Sequence, residues 1–188
     1  STAPTPPTPS QDPDHDQLSE AEEVLYNTNS TLPDTDNDGF LDGHEVFNLY
    51  NPSGTSPEKL EPAGLVQRYT SSTAGWEILY PRSWVVNPEV GERGVVFQAG
   101  DGEAIKLLIV ENLEKQELGA WLAQHFPEAQ VNPWNSNKVS LAGFVAPDGR
   151  TIYLASGTNI FALSYVPPAE PPRYLRTLEM MANSLSAR

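Results

Sequence analysis

The chain has 188 residues and a formal charge of −14, from 25 acidic against 11 basic side chains. That balance leaves no basic stripe for phosphates and disfavours a nucleic-acid partner, and no run of eighteen apolar residues exists, so nothing in this chain spans a membrane. Without a single Cys, disulfides, zinc–thiolate centres and thiol catalysis are excluded as well.

Residues 1–10, STAPTPPTPS, are dominated by Pro and Thr and hold no large apolar side chain. This composition predicts a flexible, extended linker. Such segments commonly stand between a membrane or lipid anchor and the first folded module, so an upstream anchor is expected. The acidity that follows is local: residues 1–57 carry eleven acids and no Lys or Arg, whereas residues 58–188 carry fourteen acids and eleven bases.

Residues 34–45, DTDNDGFLDGHE, crowd five carboxylates into twelve positions. Like charges this close repel, which implies a cation among them. Asp34, Asp36 and Asp38 stand at positions 1, 3 and 5 of the loop, Gly39 at 6, Phe40 at 7, Asp42 at 9 and Glu45 at 12. Calcium takes six to eight oxygens at about 2.3–2.6 Å, and a loop wound around it supplies them from these positions. Position 6 needs the sharp turn that Gly permits, having no Cβ to forbid a positive φ. Position 7 offers its carbonyl, so Phe40 is expected to ligate while its ring packs inward, and Glu45 is expected to close the site with both oxygens.

An earlier copy, DPDHDQLSEAEE, places Asp12, Asp14 and Asp16 at positions 1, 3 and 5, Leu18 at 7, Glu20 at 9 and Glu23 at 12. Its offset from the second loop is 34 − 12 = 22 residues, an internal repeat. Gln17 stands where Gly is wanted, and a side chain in the left-handed region costs about 1–2 kcal/mol. Two calcium ions are therefore expected, with the first loop the weaker. His15 and His44, at positions 4 and 11, are expected to be bystanders.

Residues 11–53 together, with the punctuating Pro33 and the sequence YNP at 50–52, resemble the calcium-binding, EF-hand-like repeats of bacterial surface proteins related to thrombospondin type 3 repeats. The resemblance implies calcium binding and an extracellular, cell-surface or secreted setting. Dockerins also pair two such loops; Glu23 and Glu45, and the absence of any Lys or Arg before Lys59, argue against them.

Residues 54–64 are rich in Pro, Gly and Ser and read as a linker. From Leu65 to residue 188 the pattern becomes strands followed by helices. GWEILYP alternates Trp76, Ile78 and Tyr80 along one side, GVVFQAG and EAIKLLIVEN are joined by the turn 100–102, and 139–146, 151–156 and 160–166 form a meander. Residues 114–126 read as a helix bearing Leu118, Trp121, Leu122 and Phe126 on one face. A last helix after Pro171 and Pro172 carries Tyr174, Leu178, Met181 and Leu185. The predicted class is α+β, over a length that supports its own core, so this module is expected to fold without calcium. Its opening, YTSSTAGWEILYPRSW at 69–84, with a strand ending in Tyr-Pro-x-x-Trp, is similar to the PsbP/Mog1-like superfamily. That likeness implies a curved antiparallel sheet closed by a C-terminal helix, and a binding rather than catalytic role.

No motif places a Ser or an acid as partner to His125, which reads as a helix-surface residue, and no enzymatic activity is expected. Trp76, Trp84 and Trp121 fall on core-facing positions, whereas Trp134 sits among Asn, Ser and Lys and is the candidate for an exposed, ligand-binding ring. The function expected is that of an extracellular calcium-binding surface protein. Its repeat serves as spacer or interaction module for a non-enzymatic domain that binds a protein or cell-surface ligand. The alternative is a dockerin-like assembly tag on a secreted accessory or enzymatic domain.

Overall fold

The computed structural model describes residues 11–72, 75–135, 143–166 and 171–187. The linker expected at 1–10 and the start of the strand expected over 139–146 lie outside these.

Two short helices open the chain. Helix α1 (Glu20–Tyr26) begins where Ser19 and Glu22 cap one another reciprocally, and it ends at Asn27 in the left-handed conformation. Helix α2 (Asp42–Phe47) begins after Leu41. Residues 54–64 then form an ordered turn: Tyr50 bridges to Lys59, whose ammonium lies 3.1 Å from the Tyr50 ring centroid, and Leu60 is fully buried.

Among the described residues that follow are two antiparallel sheets, two α-helices and a 3₁₀ turn at Val90–Glu92, the α+β class expected. Strand β2 (Trp76–Pro81) pairs with β1 (Val66–Thr70) on one side and, at its N-terminal end, with β10 (Ser186–Ala187) on the other. The larger sheet contains β3 (Val85–Pro88), β4 (Gly94–Gln98), β5 (Ala104–Glu111), β6 (Asn132–Trp134), β7 (Gly143–Val145), β8 (Thr151–Ser156) and β9 (Asn159–Val166). Their spatial order is β3-β4-β5-β9-β8-β7-β6. Alternation along β4, β5 and β9 puts Val95, Phe97, Ile105, Leu107, Phe161 and Leu163 on the inner face, where Trp76 meets Phe161 and Tyr80 meets Phe97.

Helix α3 (Leu118–His125) covers part of the outer face, with Leu118, Trp121 and Leu122 around Ile160. It starts later than the expected residue 114 because Asn112 bonds Gln116 through both ends of its amide and Glu117 caps the helix through Ala120 N–H. Helix α4 (Leu175–Ser184) buries Leu178 and Met181 against β2, β8 and β9.

The core expected within 65–188 extends into the repeat. Leu18, Tyr26, Val46 and Leu60 belong to the same buried cluster as Trp76, Ile105 and Met181. Trp134 belongs to it too. Instead of standing exposed, its ring is buried edge-on to Phe47 at 6.4 Å between centroids, over Gly143, where an added Cβ would lie 2.9 Å from Trp134 Cε3. The Trp134 ring therefore points inward, although residues beside it in sequence are polar.

Candidate metal centre

The two loops have the same backbone. Position 4 (His15, φ 64; Asn37, φ 59) and position 6 (Gln17, φ 82; Gly39, φ 100) are left-handed in both. So is the helix end at position 16, with Asn27 at φ 57 and Leu49 at φ 66. Winding the chain this way turns the position-6 N–H onto the first carboxylate: Gln17 N–H donates to Asp12 Oδ2 at 3.0 Å and Gly39 N–H to Asp34 Oδ2 at 2.9 Å. The position-7 N–H goes to the third, Leu18 to Asp16 Oδ1 at 2.7 Å and Phe40 to Asp38 Oδ1 at 3.1 Å. The correspondence continues past the helices, where Asn29 accepts from Thr31 and Asn51 from Ser53.

These turns gather Asp12, Asp14 and Asp16 in one loop and Asp34, Asp36 and Asp38 in the other, each set offering oxygens within 4.8 Å of one another. The closing glutamates are nearly sealed from water, Glu23 at 2% and Glu45 at 3% exposure. Neither oxygen of either carboxylate has a hydrogen-bond partner; the Thr28 hydroxyl bonds the Glu23 main-chain carbonyl instead. Asp12 Oδ1, both oxygens of Asp14 and Asp36 Oδ2 are likewise buried and unpartnered. Burial, and then the charges of Asp16, Asp14 and Asp42, pushes Glu23 up to about 7. Burial, reinforced by Asp38, Asp36, Asp42 and Asp34, pushes Glu45 up to about 8. Buried ionised groups without a counter-charge are strongly disfavoured, whereas a divalent cation reverses the sign of every one of these interactions.

Other expected site residues are placed less uniformly. Asp42 is fully buried and accepts Thr35 N–H at 2.9 Å and Thr35 Oγ1–H at 2.6 Å, whereas its counterpart Glu20 is exposed. Leu18 packs into the core shared with the sheet module, but the Phe40 ring, expected to pack inward, lies outside that core and is 51% exposed. His44 Nε2 meets Asn48, and His125 stacks on Trp121 at 4.2 Å.

Sequence reasoning missed the residues that dock the repeat. Glu22, fully buried, accepts Ser19 N–H through Oε2 and Thr177 N–H through Oε1. Ser19 Oγ–H donates to the Arg173 carbonyl at 2.5 Å, and the Tyr26 hydroxyl pairs with Thr177 Oγ1 at 3.0 Å. From α2, the Phe47 carbonyl accepts Asn183 Nδ2–H at 2.6 Å and the Phe47 ring lies under the Arg176 guanidinium. Both repeat helices thus hold α4. The Ser19-x-x-Glu22 spacing is a capping signature that was visible in the sequence.

No protein-family model matches the sequence. No curated protein matches it. Solved structures similar to 65% of this chain include a protein from Bacteroides thetaiotaomicron VPI-5482, at 13% identity and a TM-score of 0.43. This chain spans about half of that one, 48% of its length. The cyanobacterial PsbP (CyanoP) of Synechocystis sp. PCC 6803 is similar at 15% identity and a TM-score of 0.41, with 92% of its length covered. The Ran-binding protein Mog1p of Saccharomyces cerevisiae is similar at 10% identity and 0.42, with 95% covered. Among the described residues, no helix is long and apolar enough to cross a membrane.

Proposed function

We propose that this is an extracellular calcium-binding protein that holds two ions, one in each loop, and presents a non-enzymatic, ligand-binding α+β domain. The observation that carries the reading is the pair of closing glutamates, four carboxylate oxygens buried without a partner beside two triads of aspartates. Donors that are all oxygen suit a hard cation, and a mixed set of carboxylates and a carbonyl suits calcium. In the second loop Asp34, Asp36, Asp38 and Glu45 would hold the ion, with the Phe40 carbonyl. In the first, Asp12, Asp14, Asp16 and Glu23 would do so, with the Leu18 carbonyl. The ion supplies charge neutralisation and a cross-link between loop and helix.

An extracellular setting fits because calcium there reaches the roughly 10⁻⁴–10⁻³ M at which such modules bind. The hydrogen bonds from both repeat helices to α4 favour an interaction module over a free spacer. Calorimetric titration of the chain with calcium chloride tests the reading. Two binding events are expected, and Glu45→Gln should abolish or strongly weaken one of them. Heats no larger than those of dilution would sink it.

A further inference from the structure

We propose that Asp42 is shared: its carboxylate completes the oxygen set of the first loop, in the place Glu20 would take, while also serving the second. The inference rests on the calcium reading and adds to it a physical link between the two ions.

The first turn of α2 is seated on the first loop. Gly43 N–H donates to Asp16 Oδ2 at 3.0 Å, across 27 residues of chain. A Cβ built on Gly43 would lie 2.2 Å from the Asp16 carbonyl oxygen, so the contact is backbone against backbone and tolerates no side chain. Asp42, the residue before, is brought beside the first loop by this backbone contact and has no exposed surface. Glu20, which holds the same position in the first loop, is turned to solvent at the start of α1.

Asp42 is a fully buried carboxylate whose backbone abuts the first loop while Thr35 of the second loop holds its two oxygens. A carboxylate buried among like charges is disfavoured unless a cation neutralises it.

Its orientation is fixed from behind. Thr35 donates to Asp42 through N–H and Oγ1–H, and Thr35 Oγ1 itself accepts Asn29 N–H at 2.9 Å. Each Asp42 oxygen keeps a lone pair beyond these bonds, and partners of this kind aim a ligand. The first loop has use for it. With Glu20 turned to solvent, the loop's own carboxylates are Asp12, Asp14, Asp16 and Glu23, and a calcium that takes six to eight oxygens leaves room for one more.

The test is a calcium titration of the full chain followed by amide NMR. Gln17 and Leu18 report the first loop, Gly39 and Phe40 the second. Asp42→Asn keeps an acceptor for Thr35 N–H and should raise the calcium midpoint of both loops by about tenfold or more. Glu20→Gln should leave the midpoint at Gln17 and Leu18 within about twofold of the unaltered chain, and Asp36→Asn should weaken the second loop alone, as ordinary ligand effects imply. The proposal is overturned if Asp42→Asn moves only Gly39 and Phe40. It is overturned equally if Glu20→Gln weakens the first loop tenfold, an outcome that decides the matter even should Asp42→Asn not fold. An unaltered chain whose amides show no saturable calcium shift would instead remove the calcium reading itself.

Discussion

The Glu22 carboxylate accepts the backbone N–H of Thr177 at 2.7 Å, joining positions 155 residues apart. Thr177 lies in the first turn of α4, where N–H groups have no partner within the helix. A residue of the first loop therefore caps the helix that closes the sheet module, and Glu23, proposed to close the calcium site, is its neighbour. Removing calcium should loosen α4 together with the repeat. Thermal unfolding in excess chelator is expected as one transition at lower temperature, with faster amide exchange at 177–183. Two separated transitions, with α4 as protected as before, would show that residues 65–188 stand alone.

The Tyr26–Thr177 hydroxyl pair is buried and should be strongly coupled. Thr177→Val leaves the Tyr26 hydroxyl without this partner, which costs about 1–3 kcal/mol. Combining it with Tyr26→Phe removes both polar atoms, and the double variant should be less destabilised than the sum of the singles. Urea denaturation of the four chains measures this, and strict additivity would contradict it.

Two glycines in the repeat should fail for different reasons. Gly43→Ala drives a methyl into the Asp16 carbonyl, an overpacking cost of about 1–3 kcal/mol, and it should disturb the first loop from within the second. Gly39→Ala meets nothing within 4 Å but is strained at φ +100°, about 1–2 kcal/mol, and its effect should stay in the second loop. Amide shifts in the calcium-loaded variants distinguish the two, and disturbance confined to 34–45 in both would be the contrary result.

Gln17 holds position 6 at φ 82 without the freedom of glycine. Gln17→Gly should therefore tighten the first loop and leave the second unchanged. It also removes the contact of the Gln17 side chain with Arg176, but that contact is exposed and contributes less than the strain relieved. Calorimetry showing weaker binding at the first loop would mean the contact with α4 outweighs the backbone.

Trp134 is a packing residue in this structure. Trp134→Ala should lower stability by about 3–5 kcal/mol, as large buried aromatics do. Indole emission should be blue-shifted and poorly quenched by iodide in the folded chain. A well-folded Trp134→Ala variant of unchanged stability would restore it as a surface ring.

The two loops were legible because their geometry is local. Which position turns and which N–H donates is set by neighbours a few residues away, and Gln17 and Gly39 share a positive φ at the same position. The stripe of α4 and the strands β5 and β8 were readable for the same reason, through period. What the sequence concealed depends on docking. Phe40 and Leu18 are equivalent by spacing, yet one is half exposed and the other buried, because Leu18 joins the core shared with the sheet module and Phe40 does not. Trp134 misled because its chain neighbours are polar while its spatial neighbours, Phe47 and Leu154, come from elsewhere. Gly43 looks like any loop glycine until the Asp16 carbonyl is found against it.

The 22-residue register also explains how the array stops. Counted onward, a third loop would begin at Ser56, whose N–H donates to Asp38 Oδ2 much as Gly43 N–H donates to Asp16. Its position 5, where the earlier units carry Asp16 and Asp38, is Leu60, fully buried in the shared core. The aspartate of the earlier units is exchanged for a hydrophobic anchor, so the period ends by plugging into the sheet module instead of fraying, as capping units do in solenoids. An engineered chain lengthened by whole units should accept them ahead of Asp12 and reject them after Ser53, where each insertion would pull that plug.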